Sequence, residues 1–279
     1  MIPAFKKDDV LLKEIESTPD SPSSYSIWWL GQSGFLIKWN GYRLLLDPYL
    51  SDSLSRKYAT TKPHDRMSEL VVKPEQLKKL DVVTSSHNHT DHLDAETLMP
   101  ILANNPGIQF VIPEANREFV CERLKCDRAF PIGITDGKSK TVGPFTFHGI
   151  PAKHDEIERD ANGNCIYMGY VISFGSWNIY HSGDTLWFDE MMSMLKPFKI
   201  DLALLPINGS DPVREVAGNL NSFEAAKLGK AIGAKCVIPC HYDMFEFNTA
   251  DVSEFRAEAE KAGIRYKVLL GGERVTAKV

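Results

Sequence analysis

A chain of 279 residues, 43% hydrophobic and 25% charged, is long enough to bury a substantial core and is neither disordered nor fibrous in composition. A formal charge of −5 with no Lys/Arg run excludes an electrostatic footprint for nucleic acid, and no apolar run approaches a membrane span. Five cysteines without a paired framework, behind a polar start that lacks a signal peptide's apolar stretch, read as reduced thiols in a cytoplasmic protein.

Residues 1–24 read as a polar lead-in, and 25–279 as one domain, since no Gly-, Ser- or Pro-rich linker divides them. A strand is expected over 25–30. Two more, over 34–39 and 42–46, flank Asn40-Gly41, the dipeptide that best accepts the positive φ of a tight hairpin. Asp47-Pro48 ends that hairpin. Residues 51–73 are polar and irregular, and their basic residues make them a loop that could cover a site.

A short buried strand over 80–85 then runs into His87-Asn88-His89-Thr90-Asp91-His92. Asp94 is a good N-cap for a helix to about Leu102, closed by Asn105-Pro106-Gly107. Beyond it the pattern alternates: a strand over 109–112, a helix over 114–124, two strands within 139–150, and a hairpin of 167–174 with 177–181 around Gly175-Ser176. A helix from about Asp189 leads to a strand over 200–205. A helix over 222–232 with Gly233 at its end, a strand over 236–239, a helix over 252–262 and a closing strand over 266–270 complete the pattern. Each half opens with antiparallel hairpins and moves to strand–helix units, 80–83 matching 200–203. The expectation is an α/β (α+β) four-layer αββα sandwich.

Three of the chain's 8 histidines fall within six residues directly after a buried strand. In extended backbone His87 and His89 project to one side and can share an ion, while Asp91 and His92 turn toward a second. Imidazoles with a carboxylate suit Zn²⁺ or Mn²⁺, and a surface loop that happens to be His-rich is the competing reading. His154, Asp184 and His241 each follow a strand and offer further ligands, although single residues of these types are common at strand ends.

The segment 87–92 resembles the signature of the metallo-β-lactamase superfamily, and Ser182-Gly183-Asp184-Thr185 and the strand ending in His241 follow in the expected order. Within it, the segments 28–34, 180–184 and 234–243 resemble the branch containing L-ascorbate-6-phosphate lactonase; the same branch resembles N-acyl-phosphatidylethanolamine phospholipase D. The resemblance implies that His87, His89 and His154 hold one ion, that Asp91, His92 and His241 hold another, and that Asp184 bridges them. His181 would be a structural hydrogen-bonding residue, His148 would have no role, and His64 would at most touch substrate.

The function this implies is hydrolysis of a small lactone, ester or amide by a hydroxide shared between two divalent ions, with Asp91 orienting the nucleophile or carrying its proton. A phosphodiesterase is the alternative, favoured by a basic cluster of Arg56, Lys57 and Arg66. A diiron redox protein is the other, opposed by His89 where such proteins usually carry an acidic residue. Asn208 and Gly209 would line the cleft mouth, and Arg159, Arg214 and Trp187 would touch substrate. The partners expected are a small-molecule substrate and further copies of the chain as a homo-oligomer.

Overall fold

The structure is a computed structural model that describes residues 1–211, 213, 216 and 218–278. The chain opens with helix α1 (Asp8–Ser17) and the antiparallel strands β1 (Ser24–Gly31), β2 (Gly34–Trp39) and β3 (Tyr42–Leu46). After a short helix α2 (Ser53–Lys57) come β4 (Val82–Thr84), α3 (Ala95–Asn104), β5 (Gln109–Pro113), α4 (Arg117–Leu124) and β6 (Pro131–Ile134). Strands β7 (Ser139–Val142), β8 (Phe145–Pro151), β9 (Met168–Phe174) and β10 (Trp177–His181) form an antiparallel run. Helix α5 (Met191–Leu195), β11 (Leu202–Pro206), α6 (Ser222–Ala231), β12 (Cys236–Cys240), α7 (Val252–Ala262) and β13 (Arg274–Lys278) complete it.

Two sheets result, ordered β13-β1-β2-β3-β4-β5-β6 and β12-β11-β10-β9-β8-β7. In each, antiparallel strands give way to parallel ones, at β3–β4 and at β10–β11. The strands at 80–83 and 200–203 therefore occupy equivalent places, as the sequence suggested.

Side-chain alternation explains the layering. Ile27 and Trp29 of β1, Phe35 and Ile37 of β2, and Leu44 and Leu46 of β3 face the core shared with Phe147, Tyr170 and Ile179 of the other sheet. Their neighbours Trp28, Leu30, Leu36 and Leu45 face outward, onto Leu11 and Ile15 of α1, Leu98 and Ile101 of α3, and Val120 of α4. Helices α6 and α7 contribute Leu228, Phe255 and Ala259 to the core cluster of the second sheet. This is the αββα sandwich expected, and all five cysteines are free.

Several elements differ from expectation. The lead-in carries α1, which buries only Leu11 and Ile15 and leaves Val10 exposed. The helix expected over 114–124 starts as a 3₁₀ turn. The closing strand is β13, paired antiparallel with β1, not 266–270. In 266–270 only Tyr266 makes a bridge, to Val237, because the Tyr242 hydroxyl takes both the N–H and the carbonyl of Leu269. Among the described residues no helix is long and apolar enough to cross a membrane.

Candidate metal centre

The parallel strands β3, β4 and β5 of the first sheet and β10, β11 and β12 of the second send their following loops to one end of the sandwich, where such folds place ligands. Residues 85–92 follow β4, Asp184 follows β10, and His241 follows β12. Gly183, at φ +59, lets the Asp184 turn approach the histidine loop: a Cβ there would lie 2.7 Å from the Met168 carbonyl and 2.8 Å from Ser86.

Two compact groups form. Asp91, His92, Asp184 and His241 offer ligand atoms all within 4.8 Å of one another, and so do His87, His89 and Asp184. Asp184 belongs to both: its Oδ1 lies 3.1 Å from His92 Nε2, and its Oδ2 lies 3.4 Å from His241 Nε2 and 4.0 Å from His87 Nε2. His154, after β8, stands at the edge of the second group, its ring 4.7 Å from that of His89 and stacked on Tyr167 at 4.8 Å. Gly218 backs it so closely that a Cβ would meet the His154 ring at 2.4 Å.

These residues fit divalent cations. His87 Nε2 is buried and makes no hydrogen bond, an arrangement costing about 1–3 kcal/mol unless something else satisfies it, and His92 Nε2 and Asp184 Oδ1, though 3.1 Å apart, are not aligned for one. The opposite ring nitrogens are engaged: His92 Nδ1 meets Asp47 Oδ2 at 2.8 Å and His87 Nδ1 meets Ser86 Oγ at 3.0 Å. The Asp47 carboxylate only accepts, so it fixes the tautomer that leaves His92 Nε2 free to ligate.

Electrostatics agree. Burial depresses His87 well below the ordinary imidazole value, so it presents a neutral ring. Burial also opposes charge on His241, but Asp184 and Asp91 outweigh it and lift that imidazole to about 9. His92 is raised in the same way, by Asp184 and Asp91 against its burial. Burial resists ionisation of Asp184, and the facing His92 and His241 overcome it, holding the carboxyl far below its usual range.

Two residues without a role in the sequence reading, Asp47 and Gln32, hold this arrangement. Asp47, fully buried at φ +36, accepts from the Ser86 N–H at 3.0 Å and the Thr84 hydroxyl at 2.7 Å as well as facing His92. Gln32, at φ +49, donates from Nε2 to Asp91 Oδ2 at 2.8 Å and lies 3.0 Å from His241 Nε2. The signal for Asp47 was a carboxylate directly after a strand of buried leucines, read only as the end of a hairpin. His241 itself is left-handed, at φ +64. Strained backbone of this kind gathers where geometry is over-determined by function.

The centre opens into a cavity of about 500 Å³ lined by His89, Asp91, His154, Asp184 and His241, and by His64 and Tyr58 from the loop after β3. Of the residues expected to touch substrate, His64 lines it, whereas Arg159, Trp187 and Asn208 do not. Arg159 is turned to Asp136, with nitrogens 2.9 and 3.0 Å from the two carboxylate oxygens. Trp187 packs on the core with Lys227 over its ring. Asn208 is buried and donates to Asn248, which does line the cavity, at 2.7 Å. Arg214 lies outside the described residues. His181 donates to the Ser33 carbonyl at 3.0 Å, the structural role expected. His148 meets Ser173 on β9, away from the centre.

A family model described as the beta-lactamase superfamily domain matches residues 26–241. The chain belongs to the beta-lactamase superfamily. Its similarity to a UPF0173 metal-dependent hydrolase of Rubrobacter xylanophilus is 29% identity over 252 residues, covering 87% of this chain and 91% of that one. Among solved structures it resembles Igni18, a metallo hydrolase of Ignicoccus hospitalis, at a TM-score of 0.67 and 24% identity, covering 92% of this chain and all of that one. It also resembles the metallo-beta-lactamase fold protein YhfI of Bacillus subtilis, at a TM-score of 0.64 and 21% identity over 91% of this chain and all of that one. Those two likenesses establish the fold of this superfamily member; its chemistry is argued from the centre.

Proposed function

We propose that the chain is a metal-dependent hydrolase that cleaves a small lactone, ester or amide at a centre of two divalent ions, zinc or manganese. The observation that carries this reading is the place of Asp184 in both ligand groups, its two oxygens facing His92 on one side and His87 and His241 on the other. His87 and His89, joined by His154, would hold one ion; Asp91, His92 and His241 would hold the other, with Asp184 between. Bound there, two such cations supply a water of near-neutral pKa and an electrophile for the oxygen that gains charge.

The chain's own residues do the rest. Asp91 is the more open of the two central carboxylates, 16% exposed against 5% for Asp184, and it faces the cavity. Gln32 holds its Oδ2, which leaves Oδ1 to take a proton from the attacking water and return it to the leaving group. Asp47 keeps His92 oriented, and the Tyr167 hydroxyl, 3.4 Å from His89 Nε2, borders the same face.

Phosphodiesters are the second reading, supported by Lys57 and Arg123 beside the cavity. Arg56 and Arg66, the other members of the expected basic cluster, are paired with Glu96 and Asp52. The test is metal content of the purified protein together with turnover of a panel of lactones, esters, amides and phosphodiesters. About two equivalents of metal and turnover that falls roughly 10²–10⁴-fold in Asp91→Asn are expected. Protein that takes up no metal, or an Asp91→Asn variant with full turnover, would overturn the reading.

A further inference from the structure

The cavity has two unlike walls. One is the candidate metal centre. The other is aromatic: Tyr58 and His64 are stacked at 4.5 Å, Phe247 meets the His64 ring edge-on at 4.3 Å, and Phe245 lies 5.3 Å from it. The His64 ring is pinned by a 2.6 Å contact of its Nδ1 with the Lys62 carbonyl, so it acts as a fixed part of the wall. Rigid aromatic faces pair best with another flat apolar group, in offset or edge-on contact.

Charge is distributed just as unevenly. Among the described residues lining the cavity, the acidic ones are Asp91 and Asp184, both in the ligand groups, and the cations outside those groups include Lys57 and Arg123. Lys57 Nζ lies 4.8 Å over the Tyr58 ring. Arg123 donates to the carbonyls of Asn88 and Leu93 at 2.9 and 3.0 Å and has no carboxylate partner among the described residues. In a chain of net charge −5, Lys57 and Arg123 thus place positive charge beside the aromatic wall.

We propose that this cavity selects an anionic ligand bearing a planar apolar group, the flat portion against Tyr58, His64, Phe245 and Phe247 and the negative charge toward Lys57 and Arg123. As a statement about substrate it rests on the hydrolytic reading above; as a statement about binding it stands apart from turnover. A cavity of about 500 Å³ is in the range that encloses one small molecule.

The test is calorimetric binding of phenylacetate, acetate, benzylammonium and benzyl alcohol to zinc-loaded and to metal-stripped protein. Phenylacetate is expected to bind about tenfold more tightly than each of the others in both forms, over acetate through the ring it buries against the apolar wall and over benzylammonium and benzyl alcohol through its negative charge. Phe247→Ala, at the partly buried rim, removes the ring's advantage and leaves acetate binding unchanged; Lys57→Gln removes part of the advantage over benzyl alcohol. Tyr58→Ala serves as a second variant should the first fold poorly by circular dichroism. Equal binding of all four probes, or a preference that survives both aromatic variants, overturns the inference. Metal uptake and turnover without the preference would sink this inference alone, while the preference without metal or turnover would sink only the hydrolytic reading.

Discussion

Behind the metal-facing residues, the Asp47 carboxylate gathers Ser86, Thr84 and His92 onto two oxygens with no exposure to water. Removing it strands three buried groups at once and frees the His92 ring to rotate. Asp47→Ala should therefore lower affinity at the Asp91–His92–His241 position about 10–100-fold, the usual effect of losing a ligand's orienting partner. It should also destabilise the fold by about 2–5 kcal/mol, since each orphaned group carries a desolvation cost. Chelator competition and denaturant unfolding measure the two; unchanged metal affinity would show that His92 is held by packing alone. The candidate ligands were readable because three imidazoles and a carboxylate crowd into 87–92 directly after a buried strand, although that segment is a run of bends and turns and not the extended backbone expected. Asp47 and Gln32 were not, because their roles depend on positive φ angles that bring side chains distant in sequence together. Arg159 misled for the opposite reason. Its place after a ligand suggested substrate, whereas Asp136 from another loop claims it.

At the scale of elements, signals tied to local chemistry held. Asn40-Gly41 turns β2 into β3 with φ +47 and +86, and Asp94 caps α3 by accepting the Thr97 N–H at 3.0 Å. Elements that depend on distant partners did not show themselves. In β13 burial alternates only between exposed and intermediate, and α1 buries two residues out of ten. What fastens α1 is ionic: Glu16 meets Arg43 of β3 at 2.6 Å and also Lys79, while the buried Lys38 ammonium donates to the Ile15 and Thr18 carbonyls at 3.2 and 2.6 Å. Hydrogen bonds from Lys79 and Arg43 lower the Glu16 carboxyl to about 2. A carboxyl depressed on folding contributes stability that is full above its unfolded value, near 4.5, and is lost as pH falls toward 2. The wild type should thus be slightly more stable than Glu16→Gln at pH 6, and the gap should close between pH 4.5 and 2. Solvent screening keeps that gap small, because Glu16 is 54% exposed. A gap that persists at the acid end would mean that packing, not charge, holds the helix.

For the whole molecule, the centre joins the two sheets: His87 to His92 come from the first, Asp184 and His241 from the second. Cations seated across that seam stabilise the closed sandwich and have no equivalent site in the unfolded chain. At free metal about a thousandfold above the dissociation constant the gain is about 4 kcal/mol. For a chain of this size that corresponds to roughly 10 °C in Tm, so chelation should lower the melting temperature by that order. Calorimetry with and without chelator checks it, and coincident melts would mean that the seam holds no metal. The two-sheet plan was readable from the repeated order of hairpins and strand–helix units. Which strand closes the first sheet was not, because 266–270 looks more strand-like than 274–278.

The pairing of β1 with β13 has a consequence for how the molecule is made. Ser26 and Thr276, 250 positions apart, share a 2.8 Å hydroxyl contact within that ladder. A ribosome has therefore delivered every residue between the two strands before β1 gains its outer neighbour, and until then its edge is open to other chains. His241 emerges late as well, so a nascent chain can gather histidines and Asp184 but not the complete ligand set. On the proposed ligand set, metal capture at the Asp91–His92–His241 position would wait for His241 to be made, late in synthesis relative to the 87–92 loop.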